Sequence, residues 1–149
     1  MSIEWGAPLP ASNMTFDILD NSGAVPKEVL QSGVPFQVAI HWEVPAPAVP
    51  LINPTDSFRL RAYAESIGPG PEVQLGELIV PGQTMKFTPY NATMTVTPNP
   101  LVGEGGVFDG KTVSGVYNVV CVLQHLSGGV PTTISGTSDY EKTVMFKLP

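Results

Sequence analysis

Val113-Ser114-Gly115-Val116-Tyr117-Asn118-Val119-Val120-Cys121-Val122-Leu123-Gln124-His125 decides the fold class. Most of these residues are β-branched, aromatic or otherwise apolar, the types that fit a pleated and largely buried surface, and no proline removes a backbone donor. Tyr117, Val119, Cys121 and Leu123 form the more apolar set, and Val116, Asn118, Val120, Val122 and Gln124 the other. Both sets are apolar enough for an interior strand. The stretch therefore predicts a central strand around which the remaining elements are arranged.

Working outward, Phe36, Val38, Ile40, Trp42 and Val44 alternate with Gln37, Ala39, His41 and Glu43, so the first set faces a core. From Ser57 to Ile67, Phe58, Leu60, Ala62 and Ala64 point inward, and Arg59, Arg61, Tyr63 and Glu65 outward. Further strands are expected at Met14–Leu19, Gly76–Val80, Thr84–Phe87 and Ala92–Thr97, the last with Met94 and Val96 inward. Val25–Gln31 reads as a short edge strand, and Tyr140–Leu148 as the final strand with Tyr140, Lys142, Val144, Phe146 and Leu148 on one face. Between them lie Asp20-Asn21-Ser22-Gly23, the proline-rich run Pro45–Pro54, Gly68-Pro69-Gly70-Pro71, a flexible loop at Pro98–Asp109 and the turn-rich Ser127–Pro131. Short alternating runs with Gly/Pro breaks and no helical period predict an all-β chain, a β-sandwich of about seven to nine antiparallel strands. Residues 1–13 read as an extended arm, and residues 14–149 as one domain.

Charge narrows the function classes. Charged residues make up 13% of the 149 residues, against a usual share of about 25%. The net charge is −6, with no basic cluster, which disfavours nucleic acid and anionic membranes as partners. Such a low-charge surface suits contact with another protein, with copies of itself or with a neutral, hydroxyl-rich glycan. Met1-Ser2-Ile3-Glu4-Trp5-Gly6 shows no basic n-region ahead of an apolar run, so a secretory signal peptide is not expected here, and no apolar run reaches the ~18 residues of a membrane span. Cytoplasmic residence is the default expectation; a mature secreted fragment or a component of an assembled particle would read the same way. Cys121 is the single cysteine, so no internal disulfide forms.

Catalysis is not expected. His41 belongs to the outward set of its strand and Cys121 to the inward set of another. Cys121 and His125 share a face four residues apart, about 13 Å along a strand, too far for proton transfer. Two histidines and one cysteine in separate places offer no tetrahedral metal set. Asp17, Asp20, Asp56, Asp109 and Asp139 sit mostly at turns, where aspartate caps backbone groups; a calcium site built from such loop carboxylates stays open. No cofactor is called for. The candidate protein-binding residues are Trp5 on the arm, Val49, Leu51 and Ile52 on the stiff proline-rich loop, and Arg59, Arg61 and Tyr63 on the outward face. Tyr63, Tyr90 and Trp5 are the aromatic platforms available to a glycan.

Two resemblances bear on this. Gly115-Val116-Tyr117-Asn118-Val119-Val120-Cys121 is similar to the G-x-Y-x-V-x-V strand of bacterial immunoglobulin-like modules, in which the tyrosine often contacts backbone near the preceding turn. That resemblance implies an immunoglobulin-like sandwich and a role in adhesion, spacing, carbohydrate binding or assembly. Asn53-Pro54-Thr55 followed by Gly103-Glu104-Gly105-Gly106 resembles, in order, two protease-facing loops of chagasin-like inhibitors of papain-type proteases. There the resemblance implies that Asn53, Pro54, Thr55, Gly103, Gly105 and Gly106 form an inhibitory edge. The chain departs from that pattern at Asp56-Ser57, and no R-P-W follows His125.

Overall fold

The computed structural model describes residues 14–23, 29–44, 53, 55–81, 90–137 and 142–148. Among these residues there is no helix, and eleven strands follow one another. They are β1 (Met14–Leu19), β2 (Val29–Gln31), β3 (Phe36–Trp42), β4 (Ser57–Ser66), β5 (Glu72–Pro81), β6 (Tyr90–Val96), β7 (Val107–Phe108), β8 (Lys111–Thr112), β9 (Val116–Ser127), β10 (Val130–Thr137) and β11 (Lys142–Lys147). One sheet has the order β1-β3-β6, and a larger one the order β2-β11-β9-β4-β5 with β10 also on β9.

β9 is interior, as its composition predicts. Along one edge it pairs with β4, from Ser57 opposite Leu126 to Ser66 opposite Tyr117. Its other edge is shared: β11 takes the Val116–Val119 half and β10 the Val122–Ser127 half. Tyr117, Val119, Cys121, Leu123 and His125 are buried, and the intervening residues half-buried.

Inner faces of the two sheets share one core. At one end, the Trp42 ring stacks on Tyr90 at 5.0 Å, and Phe58 meets both edge-on at 5.6 and 5.1 Å. At the other, Phe146 contacts Phe36 at 5.2 Å and Tyr117 at 5.9 Å. Such ring pairs add about 0.5–1.5 kcal/mol each beyond the area they bury. Tyr117 is fully buried, so its hydroxyl needs partners. It donates to the Val102 carbonyl at 2.7 Å and accepts from the Val102 amide at 3.0 Å.

Several elements differ from expectation. The strands exceed seven to nine, and one pair is not antiparallel: the short edge strand β2 runs parallel to β11. The Pro98–Asp109 stretch is not simply a loop, because Asp109 (φ 51°) and Gly110 (φ 74°) turn β7 back onto β8. Likewise Gly128 (φ 58°) and Gly129 (φ 80°) make the turn that starts β10. Both pairs adopt the two left-handed residues of a tight hairpin turn, an Asp-Gly and a Gly-Gly signal. β5 begins at Glu72 and carries a bulge: Tyr63 lies opposite Gln74 and Ala62 opposite Gly76, leaving Leu75 as the extra residue, buried in the core. Core alternation in β11 ends at Phe146, and Leu148 is half exposed. The strand expected at Thr84–Phe87 lies outside the described residues, as does the arm.

Gly115 (φ 77°) is where three segments cross backbone to backbone. Its carbonyl accepts from the Phe146 amide at 2.7 Å, and the Phe146 carbonyl accepts from the Glu104 amide at 2.7 Å. A Cβ added at Gly115 would lie 2.5 Å from both the Glu104 nitrogen and the Phe146 oxygen, atoms with no freedom to retreat. Gly110→Ala, with nothing within 4 Å of the added carbon, is expected to cost only the left-handed penalty of about 1–2 kcal/mol. Gly115→Ala should cost well beyond that or abolish folding. Urea titration of the two variants checks the difference; equal midpoints would refute the crossing as a constraint.

Candidate functional site

Two groups of polar side chains stand out, one inside the core and one on the outer face of β5-β4-β9.

The inner group centres on His125, carried inward by the alternation of β9 and only 2% exposed. Its Nε2 lies 3.0 Å from Asp56 Oδ2 and its Nδ1 2.9 Å from Thr132 Oγ1. Asp56, 3% exposed, precedes β4 and also accepts the Asn53 amide at 3.0 Å. Burial pushes the Asp56 carboxyl up, but the Asn53 amide and His125 outweigh it and hold the group below the ordinary aspartate range. Hydroxyl, imidazole and carboxylate in line is the layout of nucleophilic hydrolases. Here, however, Thr132 Oγ1 also donates to the His125 carbonyl at 3.3 Å and accepts the Ile134 amide at 3.2 Å. That hydroxyl is committed to the main chain at the irregular register of β10 between Pro131 and Ser135. The group is a staple joining the start of β4, the end of β9 and β10.

Cys121 is buried, and burial pushes its thiol up to about 12, so it is no thiolate nucleophile near neutral pH. His41 lies on the outward face of β3, its Nδ1 2.9 Å from Asn91 Oδ1. Among the described residues no cluster of three or more His, Cys, Asp or Glu side chains could hold a metal ion.

The outer group lies where the bulge at Leu75 bends β5, because a bulge sharpens local twist and re-aims the side chains beside it. Register sets the rows: Gln74-Tyr63-Val120, and next to it Glu72-Glu65-Asn118. These residues, with Ala64 and Val73, line an open groove of about 450 Å³, within the ~300–1,000 Å³ range of small-ligand sites. Tyr63 is half-buried, and both glutamates are exposed. Asn118 Oδ1 accepts from Thr143 Oγ1 at 3.0 Å, which directs the amide nitrogen of Asn118 toward other acceptors. Arg61, two residues along β4 on the same face, binds Glu77 Oε2 through its Nε at 3.2 Å and also interacts with the Tyr63 hydroxyl; Glu77, and after it Tyr63, holds the guanidinium above its ordinary value. Neither Glu65 nor Glu72 has an ion-pair partner among the described residues.

Of the residues read as protein-binding, Arg59, Arg61 and Tyr63 share this outer face, whereas Trp5, Val49, Leu51 and Ile52 lie outside the described residues. Tyr90 is no platform: it is 2% exposed and stacked on Trp42. The two inhibitor-like loops are not brought together. Asn53 and Thr55 stand by the Leu126 end of β9, and Pro54 is outside the described residues. Gly103, Gly105 and Gly106 sit at its Gly115 end, tied down by Glu104 to Phe146, Gly105 to Val113 and Gly106 to Gly103 hydrogen bonds. Ten residues of strand, roughly 33 Å, separate the two loops, so they cannot form one edge. Residue order does not show the pairing of Glu72 and Gln74 with Tyr63 and Glu65, because the Gly-Pro break and the bulge hide the first half of β5.

No protein-family model and no curated protein matches the chain. Among solved structures it is similar to a beta-glucosidase from Listeria innocua in complex with gluconolactone, at TM-score 0.46 and 11% identity over 93% of this chain. The chain spans 16% of that beta-glucosidase chain. No helix among the described residues is long and apolar enough to cross a membrane.

The Asp56 assignment fixes a pH dependence. A carboxyl held below its unfolded value of about 3.9 contributes stability that is fully present above that value and is lost as pH falls through the folded one. Asp56→Ala, which leaves the buried His125 Nε2 without its partner, is expected to cost about 1–3 kcal/mol near neutral pH, with the gap to the parent shrinking below about pH 4. Urea unfolding of both proteins across pH measures the gap; one that stays constant into acid would contradict the pairing.

Proposed function

We propose that this protein is a non-catalytic binding module, an immunoglobulin-like β-sandwich that holds a glycan on the outer face of β5-β4-β9. The observation that carries the reading is the groove itself. A half-buried Tyr63 ring sits in a concave stretch of sheet beside two amides and two carboxylates, Gln74, Asn118, Glu65 and Glu72. An aromatic face covers the apolar side of a sugar ring, while amide and carboxylate groups exchange hydrogen bonds with its hydroxyls. The sandwich reading draws support from the common core of the two sheets and from the Tyr117 hydroxyl bridging Val102, ahead of the strand.

Absence of catalysis belongs to the same proposal: the hydroxyl beside His125 is engaged by backbone, and the one thiol is buried. A protein partner on this face has less to recommend it. Of its three described contact residues, Arg61 has its charge matched by Glu77 within the molecule. Affinity electrophoresis through gels containing neutral β-glucans tests the glycan reading. Parent protein should be retarded, Tyr63→Ala should run free after losing about 1–3 kcal/mol of stacking and hydrophobic contact, and Arg59→Ala should run as the parent. Retardation of Tyr63→Ala equal to that of the parent would refute it.

A further inference from the structure

Glu65 and Glu72 face each other in register on neighbouring strands beside Tyr63. Like charges directly opposite one another are unfavourable in a sheet, and neither carboxylate has an ion-pair partner among the described residues, the Arg61 guanidinium being shared by Glu77 and the Tyr63 hydroxyl. We infer that the groove selects a glycan carrying protonated amines, an amino-sugar oligomer, over neutral or acidic sugars; this rests on the glycan-binding reading above. One ammonium set against the Tyr63 face and between the two carboxylates gains cation–π and charge-assisted contacts and relieves the Glu65–Glu72 repulsion. Ring hydroxyls then meet the Asn118 amide nitrogen and the Gln74 side chain. A uronic acid would place a third negative charge against the pair, within a molecule already at −6.

Calorimetry with three probes tests this: a glucosamine tetramer, cellotetraose and a galacturonic acid trimer. It is run in mildly acidic buffer, which keeps the glucosamine amines protonated. At roughly 20 mM salt the glucosamine tetramer should bind about tenfold more tightly than cellotetraose, and the acidic trimer should not bind. The advantage should vanish in the Glu65→Gln/Glu72→Gln double variant and at roughly 0.5 M salt. Both substitutions are on exposed positions, so an unchanged melting temperature verifies the fold. Equal affinity for the two tetramers, or an advantage that survives in the double variant, overturns the amino-sugar inference and leaves the glycan module standing. No binding of any probe overturns both.

Discussion

β9 must satisfy its backbone hydrogen bonds along both edges for twelve residues, and most other features follow from how that demand is met. On one edge β4 runs its full length beside it; on the other, β11 and β10 divide the strand between them. The division forces two junctions. At the start of β9, the chain at Gly115 must pass against Glu104 and Phe146 with no room for a side chain. Near its end, β10 loses register, and the Thr132 hydroxyl serves main-chain groups there, donating to the His125 carbonyl and accepting from the Ile134 amide, while His125 ties it to Asp56.

The same pairing builds the outer groove. β4 offers Tyr63 and Glu65 outward because Phe58, Leu60, Ala62 and Ala64 are needed inside. β9 offers Asn118 and Val120 by the same parity, and β5 brings Glu72 and Gln74 into line through one extra residue, Leu75. The concavity is thus a consequence of core packing. Its chemistry is set by solvent-facing positions, where packing leaves the residue type free.

Parity carried the legible part. The alternation of β3, β4 and β9 gave the facing of Trp42, Tyr63 and Cys121 from residue order alone. Extending the inward set Met94 and Val96 back by two and four positions places Tyr90 inside, where it stacks on Trp42. A strand that begins at Ala92 leaves Tyr90 outside this pattern. β7, β8 and β10 went unread although Asp109-Gly110 and Gly128-Gly129 are hairpin signals, because their flanking residues are short or polar. The Asp56–His125 pair joins residues 69 apart, and no local pattern encodes that distance. The bulge at Leu75 breaks the period of two on which sequence reading depends, and so it conceals the first half of β5, the part that completes the groove, while the half from Gly76 to Val80 is legible.

The most direct measurement is an amide NMR titration of the folded chain with the glucosamine tetramer. Saturable shifts confined to Tyr63, Glu65, Glu72, Gln74, Asn118 and their neighbours on β4, β5 and β9 are the result this account predicts. Shifts centred instead on the β1-β3-β6 sheet, or none at saturating ligand, would contradict the placement of the site.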